Sequence, residues 1–450
     1  MWRAVTTSAG GRRGIDDRRR DFRRDFLVGP VSAGEGRKLT QGRANRTEQS
    51  IHKTYRVAAI VTHPVQYYSP LFQYIEQYTD IDLTVYYGTD AGSREFYDSG
   101  FATHLKWDVP LLHGYKHLVV SPGSAITDPI RGRSVPLAAS LRRFNPDAIW
   151  IQGYSRALHW AAFLWAGASR TPILLRGDSN IVARRKRWRL MLKYPMLRTL
   201  VAMSRGCLYV GTRNREYYQH YGAREEQLFP VPFVVDNDFF SRADAGLRSR
   251  RDEARSRFGI QDDAPVIVAA GKLSPAKAPL DLLDAFARIR SSLPCHLLYA
   301  GDGPLRSTIE TTCKIRGIPN VHITGFLNQS EIPQAYVAGD LQVLPSSIEP
   351  WGLVVNEGMN FGLPVVVSEA VGCAPDLVLH DVNGYTFKTG DVTVLADRLG
   401  TLVANPGKRA ELGRASRGII AGWGLREAAV GLRAAVVAST RHAGTETDVA

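Results

Sequence analysis

From residue 55 onward, short apolar runs alternate with stretches whose apolar residues recur every three to four positions. The first run, YRVAAIVTH (55–63), is rich in β-branched residues and ends abruptly in a polar loop, as expected for a buried parallel strand. A helix-like stretch, SPLFQYIEQY, and another apolar run, IDLTVYYG, follow it. Because strands that alternate with helices form right-handed βαβ units, the pattern predicts an α/β protein with a parallel, doubly wound sheet.

The same pattern starts again in the second half of the chain. A charged, helix-prone segment (241–260) leads to a second buried run, PVIVAAGKL (265–273), after which strands and helices alternate once more. We therefore predict two Rossmann-like domains, 55–240 and 241–420, which face a central cleft at the carboxyl ends of their sheets. The last segment, 421–450, is predicted to be a helix that crosses the domain junction, followed by a frayed tail.

Charge adds a further feature at the N-terminus. The 450-residue chain has a net charge of +14, and residues 1–54 contribute +7 of it, with 13 Lys and Arg against six Asp and Glu. This stretch has no sustained apolar period, so it is predicted to be a disordered basic leader. Because it also lacks interleaved aromatic residues and any recognisable nucleic-acid-binding module, no nucleic-acid partner is predicted.

Two other segments bear on where in the cell the protein is located. ALHWAAFLWAGA (157–168) is too short for a membrane span and predicts a core helix, in which His159 is a buried histidine with satisfied hydrogen bonds. Segment 183–203 is cationic with interspersed apolar residues, which predicts either binding to an anionic inner membrane face or an ordinary solvated basic surface. Four cysteines without paired spacing fit a reducing compartment. The predicted location is cytoplasmic, with peripheral membrane contact as an open alternative.

Residues with candidate chemistry follow the strands of the second half. Lys272 and Lys277 lie in the loop after its first strand, where two cations suit a diphosphate or are simply solvated. In SSIEPWGLVVNEGM, Glu349 precedes a helix that should begin near Gly352, and Glu357 lies about one turn into it. Two interpretations of each glutamate stay open, a ligand contact or a first-turn residue that complements the helix dipole.

Together these motifs resemble the retaining glycosyltransferases of family 4, which have the GT-B fold. The matching stretches, between about residues 265 and 378, are GKLSPAK, GDGP, NVHITGF, VLPSSIEPWGLVVNEGMNFGLPVV and APDLV. The resemblance implies that Lys272, Lys277 and Glu349 are catalytic residues. It also implies that the two lysines hold the donor diphosphate, that Glu357 binds the ribose hydroxyls, and that Glu349 lies beside the transferred sugar. The implied donor site comprises Gly271, Phe326, Glu349, Trp351, Gly352, Leu353, Val354 and Glu357.

Three positions depart from the family pattern. Lys272 stands where the family usually has Arg, so it keeps the charge but loses a bidentate hydrogen-bonding group. Cys373 and Ala278 stand where the family usually has glycine. These two differences bear on the backbone geometry of the loops rather than on the class of protein.

The first domain is predicted to bind the acceptor. His63 and Gln66 lie in the loop THPVQYYSPLF, and similar HPVQY loops occur in a branch of these enzymes. Gln152 stands near the position where many members have a histidine that contacts the donor sugar. Arg176 and Asp178 follow a later strand and are either ligand contacts or a local ion pair.

The resemblance implies a retaining transfer of a sugar from a nucleoside-diphosphate sugar to a hydroxyl of a glycan or lipid-linked acceptor, as in polysaccharide biosynthesis. No cofactor besides the donor substrate is expected. No metal is expected either, because cationic side chains can neutralise the leaving diphosphate. The alternative is a catalytically silent sensor of sugar nucleotides, or a membrane scaffold, with the same fold. The base, the sugar and the acceptor do not follow from the sequence.

Overall fold

The structure is a computed structural model of the chain, and it describes residues 53–98, 100–101, 103–124, 137–181 and 187–445. The predicted basic leader lies outside the described residues, apart from residues 53 and 54. The first residues of the cationic segment, 183–186, also lie outside them.

The first half of the described chain is built on a seven-stranded parallel sheet with the order β5-β2-β1-β6-β7-β8-β9. Two further strands, β3 and β4, pair with each other as a short antiparallel hairpin. In chain order the strands are β1 (Tyr55–Val61), β2 (Ile81–Tyr87), β3 (Phe96–Asp98), β4 (Thr103–Leu105), β5 (Lys116–Val119), β6 (Ala148–Gln152), β7 (Ile173–Arg176), β8 (Gly206–Tyr209) and β9 (Leu228–Pro230). The central strands are almost wholly buried, which explains their continuous apolar sequence.

Helices connect these strands and cover the sheet. They are α1 (Ser69–Tyr78), α2 (Leu137–Phe144), α3 (Ala157–Ser169), α4 (Arg187–Met203) and α5 (Thr212–His220).

Helix α3 was predicted to be a core helix, and this is correct for one face only. Leu158, Ala162 and Phe163 are buried, whereas Trp160 and Leu164 are 39% and 74% exposed.

The second half repeats the design with a six-stranded parallel sheet of order β12-β11-β10-β13-β14-β15. Its core is an apolar cluster that includes Leu282, Phe286 and Leu399. The strands are β10 (Val266–Ala270), β11 (His296–Ala300), β12 (Val321–Ile323), β13 (Leu341–Leu344), β14 (Val365–Ser368) and β15 (Gly384–Phe387). The helices are α6 (Asn237–Leu247), α7 (Arg251–Arg257), α8 (Pro279–Arg290), α9 (Arg306–Arg316), α10 (Ile332–Ala338), α11 (Leu353–Asn360), α12 (Ala374–Leu377), α13 (Val392–Ala404) and α14 (Pro406–Ile420).

The last helix, α15 (Leu425–Thr445), leaves the second half and packs against α1, β8 and β9 of the first half. Gly431 permits this approach, because a Cβ there would lie 1.7 Å from the Pro230 carbonyl oxygen. Arg433 extends the contact with an ion pair to Asp80 at 2.8 Å. The predicted crossing of the C-terminal helix is therefore confirmed. Among the described residues, no helix has the length and apolar character that crossing a bilayer requires.

A half-buried carboxylate also joins the two halves. Asp376, in α12 of the second half, accepts hydrogen bonds from the backbone N–H of Thr212 at 3.1 Å and from its hydroxyl at 2.5 Å. These donors lie at the start of α5, so the carboxylate of one half caps a helix of the other. Burial raises the pKa of Asp376 to about 7, although the two Thr212 bonds partly oppose that rise.

Candidate functional site

A cleft of about 360 Å³ lies between the two halves, at the carboxyl ends of both sheets. The second half contributes most of its wall, and loops of the first half cover the remainder. The predicted residues that line it are Gln66, Asp178, Gly271, Lys272, Lys277, Phe326, Glu349, Trp351, Gly352, Leu353, Val354 and Glu357.

The floor of the cleft is formed where β10 and β11 end. Gly301 packs directly on Gly271, since a Cβ at residue 301 would lie 1.9 Å from the Gly271 carbonyl oxygen. The loop after β10 then carries Lys272 and Lys277 to the rim. Ala278 follows with φ 48° and ψ 48°, a left-handed conformation that favours glycine. The family's usual glycine at this position therefore has a conformational reason, and the alanine here is strained.

The loop before α11 forms the side of the cleft. Gly352 is the N-cap residue of this helix with φ 102°, and the helix begins at Leu353, as predicted. The backbone N–H groups of Leu353 and Val354 belong to the first turn, where no intrahelical carbonyl is available to them. Both residues line the cleft, and free N–H groups at a helix start are suited to an anionic ligand.

The neighbouring loop explains how the chain tolerates one departure from the family pattern. Gly372 must be glycine, because a Cβ there would lie 1.7 Å from the Pro350 carbonyl oxygen. Cys373 has an ordinary φ of −77°, so its backbone does not require glycine. The geometry of this loop therefore depends on the first residue of the family's usual glycine pair and not on the second.

Both lysines of the cleft are paired with carboxylates. Lys277 donates a hydrogen bond to Glu349, within the second half. Lys272 contacts both carboxylate oxygens of Asp98, at 2.8 and 2.9 Å, and Asp98 belongs to the first half. The lysine side chains remain 36% (Lys272) and 27% (Lys277) exposed, so a ligand in the cleft can still reach them.

Glu357 is held by two phenols. Tyr336 donates to its Oε2 at 2.6 Å, and Tyr67 of the first half donates to its Oε1 at 3.0 Å. Burial raises the pKa of Glu357 to about 7, and the hydrogen bonds from Tyr336 and Tyr67 partly oppose the rise. The side chain is 3% exposed but lines the cleft. Each carboxylate oxygen can accept a second hydrogen bond, so the phenols do not preclude a diol ligand.

Two of the residues predicted to bind an acceptor do not line the cleft because other side chains of the first half engage them. His63 hydrogen-bonds through its Nδ1 to the Thr62 hydroxyl at 2.9 Å, and burial next to Arg156 lowers the pKa of His63 to about 4. Gln152 donates to the Tyr68 hydroxyl at 2.8 Å. Gln152 therefore stabilises the aromatic residues Tyr68 and Trp150 of the first half through hydrogen bonds.

Arg176 also lies outside the cleft, where it contacts a backbone carbonyl and three aromatic rings. The guanidinium is 1% exposed and donates to the Pro232 carbonyl oxygen at 3.2 Å. Its charge lies 5.5–5.8 Å from the ring centres of Tyr68, Trp150 and Phe233. Burial lowers the pKa of Arg176.

His159 is buried, as predicted, but only one of its ring nitrogens has a partner among the described residues. Its Nδ1 accepts from the Arg156 backbone N–H at 3.4 Å, and its Nε2 has none. The prediction of a fully satisfied histidine is therefore wrong for Nε2.

Sequence reasoning missed the part of the first half that covers the second. Asp98, Phe101 and Trp107 line the cleft, and they lie in or just after the hairpin of β3 and β4. Each of these strands has three residues, which is too short for a detectable alternation of apolar and polar positions. In the part of the chain that the structure describes, no group of three or more His, Cys, Asp or Glu residues is placed to hold a metal ion.

Comparison with known sequences finds similarity to glycosyltransferases over part of the chain. Residues 250–418 match the family model described as "Glycosyl transferases group 1". A sulfoquinovosyl transferase from Arabidopsis thaliana is 35% identical over 188 residues, which cover 41% of this chain and 34% of that protein. A D-inositol 3-phosphate glycosyltransferase from Xylanimonas cellulosilytica is 31% identical over 217 residues, covering 47% and 51%. The matches thus span between about a third and a half of these relatives' length.

Comparison with solved structures confirms the fold over most of the chain. HepE from Anabaena, crystallised in complex with UDP, superposes with a TM-score of 0.62 at 20% identity, covering 88% of this chain and all of that one. HepE has also been crystallised with UDP-glucose. The predicted GT-B fold, with two Rossmann-like domains that face a cleft, is therefore confirmed.

Proposed function

We propose that this protein transfers a sugar, with retention of configuration, from a nucleoside-diphosphate sugar to a hydroxyl of a glycan or lipid-linked acceptor. The observation that carries the proposal is the cleft itself, which brings Lys272, Lys277, Glu349 and Glu357 together beside the first turn of α11. All four residues lie within the stretch that matches the glycosyltransferase family model. The second half, 241–420, would hold the donor, and the first half, 55–240, the acceptor.

The geometry favours departure of the diphosphate. Lys272, Lys277 and the N–H groups of Leu353 and Val354 surround one side of the cleft, where they would stabilise the negative charge that develops on the leaving group. Because these cations are available, we propose that no metal ion is needed. The acceptor hydroxyl would attack from the same face through an oxocarbenium-like state. We assign no covalent nucleophile.

The two glutamates have different roles in this proposal. Glu357, whose outer lone pairs remain open beside Tyr67 and Tyr336, would accept hydrogen bonds from the ribose hydroxyls. Glu349 accepts from Lys277 at the mouth of the cleft and would lie beside the transferred sugar. Its negative charge would stabilise the positive charge that develops on that sugar.

The place of action is a further part of the proposal. We place the protein in the cytoplasm, and we propose that the cationic segment 183–203 contacts the anionic inner face of a membrane when the acceptor is lipid-linked. Its described part, α4, carries Lys193 and Arg198 on exposed positions. Sedimentation with vesicles that contain anionic lipid, compared with neutral vesicles, tests this point.

Transfer of a labelled sugar tests the activity. The protein is incubated with radiolabelled UDP-, GDP- and ADP-sugars and a membrane extract, with and without EDTA. We expect transfer from one donor class, retained in EDTA and abolished by Glu357→Ala and by Lys277→Ala. Lys314→Ala, an exposed lysine on α9, is the matched control and should transfer at the wild-type rate. Nucleotide binding without any transfer would instead favour a catalytically silent sensor, and NMR of the product's anomeric centre tests retention.

A further inference from the structure

The hairpin of β3 and β4 places part of the first half directly on a lysine of the donor cleft. Asp98 pairs with Lys272 through both carboxylate oxygens, at 2.8 and 2.9 Å. The Lys272 ammonium also lies 4.9 Å from the centre of the Phe101 ring. Gly100 fits flush against the same side chain, since a Cβ there would lie 2.6 Å from the lysine Nζ. Three described residues of the hairpin thus surround one cation of the second half.

The same segment supplies aromatic rings to the far end of the cleft. Phe101 and Trp107 pack edge-on against Phe326, with ring centres 5.0 and 5.8 Å apart. All three rings line the cleft and are only partly buried, so they leave aromatic surface open to a ligand. Phe326 follows β12 in the second half, whereas the other two rings belong to the first.

In addition to the ring contacts, hydrogen bonds hold the segment that carries Trp107 in place. Asn328 donates from its Nδ2 to the Lys106 carbonyl oxygen at 2.7 Å, and its Oδ1 accepts from the Asp108 backbone N–H at 3.2 Å. Asp108 also accepts a hydrogen bond from the Ser330 backbone N–H at 3.1 Å. The position of Trp107 is therefore fixed on both sides by backbone bonds to the loop that carries Phe326.

We infer that Phe101 and Trp107 of the first half form, with Phe326, an aromatic subsite for the nucleobase of the donor, and that Asp98 pairs with Lys272 until the diphosphate of the donor takes the place of this carboxylate. The inference rests on the proposed function, because it concerns the same cleft. Every nucleobase presents a π-face that can stack on aromatic side chains. Lys272 lies 4.9 Å from the centre of the Phe101 ring and lines the same cleft as the first turn of α11, so one ligand can contact the rings with its base and the lysine with its diphosphate.

The negative charge of Asp98 competes with a diphosphate for Lys272. Its carboxylate is fixed by the backbone N–H groups of Gly100 and Phe101, at 2.7 and 3.0 Å, as well as by Lys272. Burial disfavours its charge, but the bonds from Lys272 and from these backbone groups prevail and lower the pKa of Asp98. It is therefore a carboxylate at neutral pH, and it must release Lys272 when a diphosphate binds. Neutralising Asp98 should favour ligands that carry phosphate and leave the affinity for a bare nucleoside unchanged.

Calorimetric titration separates the two contributions. The wild-type protein is titrated with UDP, GDP and ADP, and then with the nucleoside that corresponds to whichever diphosphate binds. Phe101→Ala and Trp107→Ala should each weaken both the diphosphate and the nucleoside by roughly tenfold, because base stacking is lost. Asp98→Asn should tighten the diphosphate by roughly threefold to tenfold and leave the nucleoside unaffected. Tyr97→Ala, on the same hairpin but 58% exposed, is the control and should bind like the wild type.

The outcomes distinguish this inference from the proposed function. If the wild type binds none of the three diphosphates, the proposed function fails and the inference fails with it. If the wild type binds one of them but the two alanine variants bind it equally well, the inference alone is overturned. An Asp98→Asn variant whose diphosphate affinity is unchanged or lower also overturns it. Thermal midpoints for all variants establish that each protein is folded at the temperature of the titration.

Discussion

The buried carboxyl of Glu357 should make the stability of this protein depend on pH in an unusual direction. Its pKa rises from the ordinary 4.5 to about 7 because the side chain is buried between Tyr67 and Tyr336. A carboxyl with a raised pKa binds its proton more tightly in the folded protein than in the unfolded chain. The contribution of Glu357 to the free energy of unfolding therefore falls as pH rises from about 4.5 to about 7, and it is constant above that range.

The size of the effect follows from the shift. About 2.5 pKa units at roughly 1.36 kcal/mol each correspond to about 3 kcal/mol between the two ends of the range. Glu357→Gln removes the ionisation while keeping the shape of the side chain. The amide oxygen still accepts a hydrogen bond from one phenol, and the oxygen of the other phenol can accept one from the amide Nε2. The variant should therefore gain stability relative to the wild type as pH rises, by about 3 kcal/mol at pH 8 compared with pH 4.5. With roughly 2 cal/mol/K of unfolding entropy per residue, this is about 3–4 °C in the thermal midpoint.

The assay is the difference in thermal midpoint between Glu357→Gln and the wild type, measured from pH 4.5 to pH 8. Taking the difference cancels other titrating groups, including His63 and His159, for which burial lowers the pKa to about 4. A constant offset from altered hydrogen bonding does not change the slope. A flat difference for Glu357→Gln would refute the reasoning.

Three further substitutions test the loops and the junction around the cleft. Ala278→Gly should raise the free energy of unfolding by about 0.5–1 kcal/mol in chemical denaturation, because it relieves a left-handed backbone at φ 48°; a loss of stability would contradict this reading. Gly372→Ala should abolish nucleotide binding in a calorimetric titration, since its Cβ would lie 1.7 Å from the Pro350 carbonyl oxygen and displace the loop before α11; wild-type affinity would disprove it. Thr212→Val should destabilise the protein by about 1–2 kcal/mol, because it removes a hydrogen bond to the half-buried Asp376; Thr212→Ser, which keeps the hydroxyl, should remain within a few tenths of a kcal/mol of the wild type.

The second half of the protein was largely predictable from sequence because its site follows local rules. Each donor residue lies in a loop directly after a strand, or in the first turns of the helix that follows one. A run of apolar residues therefore locates it to within a few positions. The start of α11 near Gly352 is an example, since Pro350 and Gly352 together mark a helix entry.

The first half was less predictable because its contacts depend on tertiary packing. Nothing local in the sequence distinguishes Arg176, which lies among aromatic rings, from Asp178, which lines the cleft two residues later. The pairing of Asp98 with Lys272 joins residues 174 positions apart. Tyr67, which the predictions placed only in a loop, contacts Glu357 across 290 positions. Sequence periodicity carries no information about such distant pairs.

The path of the C-terminal helix limits how the two halves can move. The chain passes between them twice, once before α6 and once before α15. At these crossings Asn237 donates to the carbonyl oxygens of Ile420 and Trp423, at 3.0 and 3.2 Å. Two adjacent covalent connections permit rotation about the line that joins them, but they resist sliding and separation. Opening of the cleft is therefore expected to be a hinge rotation with a single main axis, in which the residues farthest from Asn237 move most.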